Sequence, residues 1–590
     1  MAELNPADDL PSRLAWRASA HPHAAAFLQK RHGVWRRWTW SEVAETVRAA
    51  SAGLLAAGLA RGEAVGIVSG ARVEAVCLVH ACQRAGLVPV LLSAGLAPGA
   101  LATLSQQAGV VAFVAEDQEQ VDKIADVQSR LAVLRRVWVI DPKGTQAYRH
   151  IQAVPASRLM DGAAGSSPGG TAPAGAARSK GAATALGLFS AGVFSEPRHV
   201  PVSHEAVMLL AAAQSPLSLA EGERVVSLFG LADPLGHYFA VVAPVLAGSV
   251  ACFGEDRVPT VAEMRQCAPQ TVAAPARLLD RLRREAAARA SRSGGWRQRL
   301  IQRWTATQSP SVPLRWLVGQ PVANTLGLGA CRQVLTGYDR MAPSTARFLA
   351  RLGLATRGLY TVAEAAGPVG AFAQADAPAL EVFDAYHPVV DADGRLALSV
   401  HGQRVTTGDL VSLDGGRLHL IGRAADLLTL PGGQQLAPSL IEAEIGASPF
   451  VNQAVAVGGP ASGITALIEL DEVALRDWAA SHGLAFTTLR SLAESSEVAR
   501  LVEQARSEAS QRLEAAYPGA GVRRVVLLPR ALDAGNGELS PSLALRRAIV
   551  RNRYAHRLVG TAPVPPVPVA QPSRVGPLPA LAPASLRSAP

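Results

Sequence analysis

The segment from Thr407 to Glu442 restricts the possible folds of this chain more than any other part of the sequence. It reads TGDLVSLDGGRLHLIGRAADLLTLPGGQQLAPSLIE. Two predicted strands, Val411–Leu413 and Arg417–Ile421, flank an Asp-Gly-Gly turn, and this pattern predicts a β-hairpin. A Gly-Arg corner and a Pro-Gly-Gly turn follow, after which Pro438 is expected to begin a helix. One short segment therefore combines a hairpin, a sharp corner and a helix start.

Asp409 stands on the Gly-Asp turn before this hairpin, and Arg423 stands at the corner after it. A carboxylate offers two acceptor oxygens at a separation that matches two neighbouring hydroxyl groups. An acid, a hairpin, a Gly-Arg corner and a Gly-Gly-to-Pro turn in this order resemble the signature of the adenylate-forming enzymes, the acyl-CoA synthetase and ligase superfamily. The resemblance implies that Asp409 accepts hydrogen bonds from both ribose hydroxyls of a nucleotide, and that Arg423 contacts this nucleotide at a domain hinge. Capping of a turn by Asp409 is the alternative interpretation.

Strand and helix patterns alternate along the chain, which predicts an α/β fold with doubly wound sheets. A chain of 590 residues is too long for a single hydrophobic core, so more than one domain is expected. The resemblance implies a large N-terminal AMP-binding domain over residues 1–422 and a small, mobile α+β domain over residues 423–558. A disordered Pro/Ala-rich tail is expected over 559–590, and a mobile loop rich in Gly, Ala, Ser and Pro over 160–183.

Local patterns predict individual elements as well. A strand is expected around Trp38–Trp40, followed by a helix that Ser41 begins. An arginine-rich helix is expected over 276–291, and a further strand at Arg315–Val318.

The chain is basic, with 57 Lys and Arg residues against 47 acidic ones, and only four lysines are present: Lys30, Lys123, Lys143 and Lys180. This charge could indicate an anionic partner such as a nucleic acid or a membrane surface. An Ala/Arg-rich composition explains the charge equally well, so no nucleic-acid partner is expected. Five cysteines without paired or metal-like spacing indicate a reducing compartment. Because the acidic N-terminus is unlike a signal peptide and no stretch resembles a transmembrane helix, we expect a cytoplasmic protein with at most peripheral membrane contact.

The adenylation reaction of the resembled family needs a cradle for the β- and γ-phosphates of ATP, a magnesium ligand and a cation at the attacking carboxylate. The resemblance places the cradle at SAGVFSEPRH, where Ser190 and Gly192 are the predicted nucleotide-binding residues and Arg198 is the predicted catalytic cation. Two threonines and two glycines of the family pattern are replaced here by Val193, Phe194, Ser195 and His199. The loss of hydroxyls and of glycine freedom weakens the cradle, and a structural turn that binds no phosphate is the alternative.

The adenine and magnesium positions of the family fall on the segment GLYTVAE. The resemblance implies that Tyr360 stacks on adenine, and that Glu364 ligates Mg²⁺ and takes part in catalysis. Ala363 replaces the threonine that would contact the α-phosphate. Upstream, Tyr338 and Asp339 are bulkier than the small-residue adenine platform of the family.

Near the C-terminus, NGELSPSLALRR resembles the long-chain fatty acid subgroup almost position by position. Ala544 stands where that subgroup has a lysine, which would bridge the attacking carboxylate and the α-phosphate. Losing such a group typically costs a factor on the order of 10²–10³ in rate. No lysine follows Lys180 in the sequence, and at least one of Arg546 and Arg547 is expected to point elsewhere.

Two more positions depart from the family pattern. Asp233 replaces a substrate-side histidine, for which His237 is a weak substitute one helical turn further on. Ala425, beside the predicted hinge, replaces a charged residue.

The resemblance covers about residues 10–558. It implies ATP-dependent activation of a long-chain fatty acid through an acyl-adenylate, followed by transfer to CoA, with ATP, Mg²⁺ and CoA as cofactors. Fatty acid and CoA would then be the small-molecule substrates. Because the replaced residues fall on separate parts of the reaction, we expect adenylation to be impaired. The alternative is a non-catalytic relative that keeps the scaffold to bind a nucleotide, an acyl group or a partner protein.

Overall fold

The computed structural model describes most of the chain, namely residues 9–145, 152–160, 183–190, 197–213, 217–292, 303–304, 312–337, 341–374, 377–400, 402–414, 416–533, 536–540 and 545–558. The predicted tail over 559–590 lies outside the described residues, as does the predicted loop over 160–183 except for its two terminal residues. Both therefore stay predictions.

Strands in the described part of the chain form four sheets. They are β1 Ala25–Arg31, β2 Val34–Thr39, β3 Ala64–Val68, β4 Val88–Leu92, β5 Val110–Ala115, β6 Arg136–Val139, β7 Ala153–Pro155, β8 Thr184–Phe189, β9 His199–Ser203, β10 Arg224–Ser227, β11 Val250–Phe253, β12 Thr271–Ala273, β13 Gln333–Gly337, β14 Ala355–Val362, β15 Gly367–Phe372, β16 Ala379–Val382, β17 Val389–Val390, β18 Arg395–Val400, β19 Gln403–Asp414, β20 Arg417–Arg423, β21 Leu428–Thr429, β22 Gln435–Leu436, β23 Val451–Gly459, β24 Gly463–Leu470 and β25 Val522–Leu527.

The α-helices of the same residues pack against the two large sheets and against the three-stranded sheet. They are α1 Leu10–Ala20, α2 Trp40–Ala56, α3 Val73–Ala85, α4 Pro98–Gln107, α5 Gln118–Asp126, α6 Ser157–Met160, α7 His204–Leu209, α8 Pro234–His237, α9 Ala243–Ala247, α10 Val261–Cys267, α11 Ala276–Arg292, α12 Val312–Leu314, α13 Gln320–Thr325, α14 Pro343–Arg351, α15 Pro438–Ile445, α16 Glu472–Ser481, α17 Leu489–Ala493, α18 Ser496–Ala516 and α19 Arg547–Arg553.

Two large sheets dominate the N-terminal part. The first has seven strands in the order β7-β6-β5-β3-β4-β8-β9, and all neighbours are parallel except the β8–β9 hairpin. The second has thirteen strands, of which β14, β13, β12, β10, β11 and β1 form a parallel centre flanked by antiparallel strands. Parallel strands separated by helices, with apolar residues on both faces, are the arrangement that the alternating sequence pattern predicts. The predicted α/β class with doubly wound sheets is confirmed.

One contiguous hydrophobic core joins the two large sheets with the helices packed between them. It includes Leu54 of α2, Val76 of α3 and Leu359 of β14, each at most 2% exposed. Full burial of such a side chain contributes about 1.5–3 kcal/mol to stability. This core holds the carboxyl end of β14, where the candidate site begins, against both sheets.

Residues after β20 have a separate core. It is built around the three-stranded sheet β23-β24-β25 and helices α15 and α18, and includes Ile441, Ala466 and Ala509. Mixed pairing, antiparallel between β23 and β24 and parallel between β24 and β25, fits a small α+β unit. The domain division after residue 422 stays a prediction. The last residue of the first core is Val411 and the first residue of the separate core is Leu430, so the predicted division lies between them.

Helix α11 joins the two parts. The predicted arginine-rich helix over 276–291 is confirmed as Ala276–Arg292. Its Arg277 donates to Gln453 Oε1 at 2.7 Å, and its Arg284 donates to Asn452 Oδ1 at 2.8 Å. These contacts fix the orientation of β23 relative to the large sheet in this structure.

The predicted strand around Trp38–Trp40 and the helix that follows it are both present, but the junction between them lies one residue earlier than predicted. The strand ends at Thr39, and Trp40 is the first residue of α2. Thr39 is the cap because its hydroxyl accepts the Glu42 N–H and the Glu42 carboxylate accepts the Thr39 N–H. This reciprocal pair satisfies two backbone donors that a cap at Ser41 would leave open.

The predicted strand at Arg315–Val318 is also wrong. Residues Arg315–Gly319 form a π-helical turn between α12 and α13. A short apolar run has no periodicity that separates a strand from a helical turn, so neighbouring packing decides. No helix in the described part of the chain is both long enough and apolar enough to span a membrane.

Candidate functional site

The β19–β20 hairpin places Asp409 beside Arg423. The two residues are direct partners in the strand register, and Arg423 Nε lies 3.3 Å from Asp409 Oδ1. The Asp409 side chain is 13% exposed and that of Arg423 is 39% exposed, so the pair lies at the edge of the protein interior. The Asp409 N–H also donates to the Thr407 hydroxyl at 3.2 Å. Turn and strand pairing together hold the carboxylate in one position.

Two glycines permit this geometry. Gly408 precedes Asp409 with φ +78, and Gly422 precedes Arg423 with φ +151, a backbone conformation that residues with a Cβ rarely adopt. A Cβ on Gly422 would also lie 3.0 Å from the Ala437 side chain. The corner therefore requires glycine at both positions, immediately before Asp409 and immediately before Arg423.

Tyr360, at the end of β14, completes the corner. Its hydroxyl donates to Asp409 Oδ2 at 2.5 Å. Three strands separate β14 from β19 in the sheet order, which corresponds to about 19 Å in a flat sheet at the usual strand spacing. The contact therefore indicates that the sheet is curved between β14 and β19. Asp409, Arg423 and Tyr360 are three predicted site residues that the fold brings together.

Burial and the adjacent Asp409 carboxylate raise the pKa of Tyr360 well above its usual range. The phenol consequently stays protonated at physiological pH and remains a hydrogen-bond donor to Asp409. An ionised carboxylate has about four acceptor sites. Two are used by Tyr360 and Arg423, so Asp409 keeps capacity to accept further hydroxyl donors.

The predicted phosphate loop connects β8 and β9. Its neck is closed by two hydrogen bonds between Ser190 and Arg198: the Ser190 N–H donates to the Arg198 carbonyl, and the Arg198 N–H donates to the Ser190 hydroxyl, both at 2.9 Å. Residues 191–196, which contain the predicted Gly192 and the replaced threonine positions, lie outside the described residues. The Ser190 hydroxyl thus accepts one bond at the loop neck, and its own proton is not used in that bond.

His199, which stands where the family pattern has glycine, fills space behind this neck. Its ring lies 5.5 Å from the Phe189 ring, measured between centroids. Its Nε2 would be 2.7 Å from a Cβ placed on Gly187. Burial lowers the pKa of His199, so the imidazole is neutral and supplies no charge for an anion.

Arg198 points to Glu364. Arg198 Nη2 lies 3.6 Å from Glu364 Oε1, and the two side chains are 70% and 29% exposed. An ion pair this exposed has little net energy, about 0–1 kcal/mol. The predicted cation and the predicted metal ligand therefore face each other, with Ala363 beside them offering no hydroxyl.

Glu364 on its own is a limited metal site. Among the described residues, no group of three or more His, Cys, Asp or Glu side chains is arranged to hold a metal ion. Mg²⁺ usually binds one or two carboxylates and completes its shell with water and phosphate oxygens. Glu364 fits that role where a bound triphosphate supplies the other ligands, and Arg198 competes for the same oxygen.

The substrate-side replacements have structural roles. Asp233 caps α8, accepting the Leu235 N–H at 2.8 Å and the Gly236 N–H at 3.4 Å. His237 is fully buried, and its Nδ1 lies 3.4 Å from the Ala366 carbonyl oxygen. Burial lowers the pKa of His237 to about 4, so it is neutral at physiological pH. His237 therefore does not substitute for a solvent-accessible histidine.

The C-terminal motif is held by its glutamate. Glu538 is buried and binds Arg530 at 2.8 and 2.9 Å, Arg553 at 3.0 Å and the Tyr554 hydroxyl at 3.1 Å. Burial opposes ionisation of Glu538, but the bonds from Arg530 and Arg553 outweigh it and lower its pKa. Residues 541–544, including Ala544, lie outside the described residues. Through Glu538, the part of the motif that precedes these residues is anchored to Arg530, Arg553 and Tyr554.

Sequence reasoning missed an ion-pair network beside the hinge. Arg547 binds Glu442 through two bonds, at 3.1 and 2.7 Å, and Asp426 at 3.1 Å. Burial raises the pKa of Asp426, although the Arg547 charge opposes this shift. Over a hundred residues separate Arg547 from each partner, so no local pattern could have indicated the network. Arg546 is directed to the Gly537 carbonyl oxygen instead, at 3.4 Å.

Comparison with known proteins identifies the lineage of this fold and site. The AMP-binding enzyme family matches residues 14–405, a region that contains Tyr360 and Glu364 and ends just before Asp409. The chain belongs to the AMP-binding enzyme family.

Relatives of this family member include fatty acid ligases. The long-chain-fatty-acid–CoA ligase FadD15 of Mycobacterium tuberculosis is 25% identical over 571 residues, covering 89% of this chain and 92% of the relative. The peroxisomal long chain acyl-CoA synthetase 6 of Arabidopsis thaliana is 23% identical over 591 residues, covering 89% of this chain and 81% of the relative. These similarities support the predicted long-chain fatty acid branch of the superfamily.

Solved structures share the fold. The adenylation domain of a carboxylate reductase from Mycobacterium chelonae matches with a TM-score of 0.74 and 17% identity, covering 94% of this chain and 91% of that one. The A domain of carboxylic acid reductase from Segniliparus rugosus, in complex with AMP and a carboxylic acid, matches with a TM-score of 0.72 and 15% identity over 93% of both chains. At such identities the likeness concerns the fold alone.

Proposed function

We propose that the protein is an ATP-dependent long-chain fatty acid–CoA ligase in which nucleotide recognition through the ribose persists and adenylation is slow. The observation that carries this proposal is the corner formed by Asp409, Arg423 and Tyr360, because its carboxylate is fixed yet retains acceptor capacity. Similarity to fatty acid–CoA ligases along nearly the whole chain supports the substrate class.

Each remaining site residue has a role in this proposal. Asp409 accepts the ribose hydroxyls, Tyr360 orients its carboxylate and offers a ring face to adenine, and Arg423 adds positive charge at the corner. Glu364 would hold Mg²⁺ together with the phosphates, and Arg198 would neutralise phosphate charge after exchanging Glu364 for the nucleotide. CoA would act as the acceptor of the acyl group.

Slow adenylation follows from the residues that are expected to contact the phosphates. Attack on the α-phosphate develops charge that fixed donors must stabilise. The side chains of Ala363 and Ala544 offer no hydrogen bond there, and the Ser190 hydroxyl accepts the Arg198 N–H at the loop neck. No lysine follows Lys180 to take the place of the missing cation.

A non-catalytic scaffold is the second candidate. The Arg198–Glu364 pair at 3.6 Å favours it, because both predicted catalytic groups are occupied by each other. In that case AMP still binds at Asp409 and no pyrophosphate exchange occurs.

ATP–pyrophosphate exchange across a panel of fatty acids separates the two candidates. Exchange that depends on a long-chain acid, and that is lost in Asp409→Ala, is expected for the slow ligase. The matched control is Asp414→Ala, an exposed acid at the turn of the same hairpin. AMP binding without exchange for any acid would reject the ligase and leave the scaffold, whereas no AMP binding would reject the ligase and any scaffold that binds a nucleotide.

A further inference from the structure

Helix α11, which packs against the thirteen-stranded sheet, directs one buried arginine to the small α+β unit after β20. Arg284 is 7% exposed, and its Nη2 donates to Asn452 Oδ1 at 2.8 Å. Its Nε lies 3.3 Å from Asp471 Oδ2, and both side chains of this ion pair are largely buried. Because an unpaired buried charge is strongly destabilising, Arg284 depends on these two partners in the small unit.

Asn452 extends this contact to the neighbouring strand. It is the extra residue of a β-bulge in β23, opposite β24, and its Nδ2 donates to Glu469 Oε1. A bulge redirects a side chain relative to a regular strand, which allows one amide to accept from α11 and to donate to β24. Glu469 is 7% exposed, and its Oε2 accepts the Leu532 N–H at 2.8 Å. We call Arg284, Asn452, Glu469 and Leu532 the polar relay.

The polar relay ends beside the C-terminal motif. Leu532 is followed by Asp533, whose N–H donates to Glu538 Oε2 at 3.2 Å and whose carbonyl accepts the Glu538 N–H at 3.1 Å. The Glu538 carbonyl in turn accepts the Arg546 N–H at 2.9 Å. The bond between Glu538 and Arg546 closes the neck of the motif, so hydrogen bonds and one peptide bond connect this neck to α11.

A second arginine of α11 makes a contact that does not continue. Arg277 donates to Gln453 Oε1 at 2.7 Å, one residue after Asn452. Among the described residues, Gln453 has no further side-chain hydrogen bond. The two arginines therefore join the same helix to the same strand, but only Arg284 is connected to Glu469 and Leu532.

We propose that Arg284 is a positioning residue, which fixes the neck of the C-terminal motif relative to the large sheet through Asn452 and Glu469. Its effect on rate rests on the proposed function, because the motif resembles the segment that adjoins the attacking carboxylate in adenylate-forming enzymes. A misplacement of about 1 Å can cost on the order of 10²-fold in rate, even when its cause lies far from the reacting atoms. The affinity for AMP, which depends on Asp409, does not depend on the polar relay.

Hydrogen–deuterium exchange of the full chain tests the polar relay without any requirement for activity. The Leu532 amide reports the far end of the relay directly, because its N–H is bonded to Glu469. In Arg284→Ala, deuterium uptake over residues 528–533 should be about tenfold faster, since a charged partner of the relay is lost. Arg284→Lys keeps a charge beside Asp471 and should lie closer to the wild type.

Two further variants separate the polar relay from the contact between helix and strand. Asn452→Asp keeps an acceptor for Arg284 but places a second carboxylate against Glu469, so it should accelerate deuterium uptake over 528–533 as Arg284→Ala does. Because Asn452 is exposed, this variant should fold normally. Arg277→Ala is the matched control and should change deuterium uptake over 528–533 by less than about twofold.

ATP–pyrophosphate exchange adds a kinetic readout that a merely structural role would not move selectively. Arg284→Ala should lower the maximal rate of pyrophosphate exchange by about tenfold and leave AMP affinity within about twofold. Arg277→Ala should change neither quantity. No pyrophosphate exchange by the wild type, together with Arg284-dependent protection over 528–533, would reject the proposed ligase but support the polar relay.

Three results would overturn the proposal. The first is equal deuterium uptake over 528–533 in the wild type and Arg284→Ala. The second is an effect of Arg277→Ala as large as that of Arg284→Ala, which would identify general loosening between α11 and β23. The third is a loss of AMP affinity in Arg284→Ala as large as its loss of rate, since Arg284 would then support the whole site.

Discussion

The candidate site has two parts whose side chains are held differently. We call Asp409, Arg423 and Tyr360 the ribose side, and Arg198 and Glu364 with the β8–β9 loop the phosphate side, after the groups that they are proposed to bind. On the ribose side, Asp409 is paired in a strand register with Arg423, accepts the Tyr360 hydroxyl at 2.5 Å and is 13% exposed. On the phosphate side, Arg198 is 70% exposed and meets Glu364 at only 3.6 Å. One side is built into the sheet, whereas the other consists of side chains at a loop neck.

Because of this difference, a substitution on the ribose side affects both the local structure and ligand binding, whereas a substitution on the phosphate side affects catalysis alone. Replacing Asp409 would disturb the hairpin corner as well as a ligand contact, because the same carboxylate serves both. Exchange of a loop hydroxyl for an apolar group leaves the neck between Ser190 and Arg198 intact, since that neck relies on backbone groups and one serine. A scaffold of this kind can therefore lose catalytic groups on the phosphate side while its ribose corner stays in place.

Restoring the phosphate side should have the largest effect. A combined variant carries the family residues at six altered positions of that side: Val193→Thr, Phe194→Thr, Ser195→Gly, Arg198→Lys, Ala363→Thr and Ala544→Lys. We expect it to form acyl-adenylate from oleate and ATP about a hundredfold faster than the wild type or more, because these groups act as one unit. Ala544→Lys alone should gain less than about tenfold, since one charge helps only when the phosphates are already aligned.

Ala461→Lys, at an exposed turn of the small domain, is the control for added charge. A large gain in the rate of acyl-adenylate formation from Ala544→Lys alone would contradict the contrast between the two sides. It would mean that the β8–β9 loop still holds phosphate through its backbone. Fast turnover by the wild type would contradict slow adenylation itself.

Removing the ribose carboxylate should have the next largest effect. Asp409→Ala is expected to weaken AMP binding by about 10–100-fold in calorimetry, the usual value of hydrogen bonds to a charged group. Asp414→Ala should bind AMP like the wild type. Equal affinity of Asp409→Ala and the wild type would show that the corner is structural only.

Removing the tyrosine hydroxyl should have a smaller effect on the same corner. Tyr360→Phe keeps the ring but deletes the donor to Asp409, so the free energy of unfolding should fall by about 1–2 kcal/mol and AMP affinity by several fold. Tyr386→Phe is the control, since Tyr386 is also buried and its hydroxyl has no hydrogen-bond partner among the described residues. Chemical denaturation of both variants at one pH measures the difference, and equal stabilities would contradict a specific Tyr360–Asp409 contact.

Disrupting the exposed ion pair should have the smallest effect. Arg198→Ala is expected to change AMP affinity by less than about twofold and stability by less than about 1 kcal/mol, because the pair is screened by solvent. Arg198→Lys tests whether charge alone matters. If Arg198→Ala instead weakened AMP binding as much as Asp409→Ala does, the two sides would be more alike than their geometry indicates.

The sequence by itself determined the local elements on which the site rests. The Asp-Gly-Gly turn, the glycines before Asp409 and Arg423, and Pro438 at a helix start encode the hairpin and corner, since each depends on the backbone preferences of a few neighbouring residues. The same short-range information failed at Arg315–Gly319, where an apolar run fits a strand or a helical turn equally well.

Only the tertiary structure decided which side chains meet. Tyr360 reaches Asp409 across three intervening strands because the sheet is curved there, and Arg547 joins Asp426 and Glu442 from more than a hundred residues away. The Arg198–Glu364 pair likewise arises where a loop neck and the end of β14 converge. Such contacts depend on the curvature of a whole sheet and on packing between sheets, and no pattern of neighbouring residues specifies either.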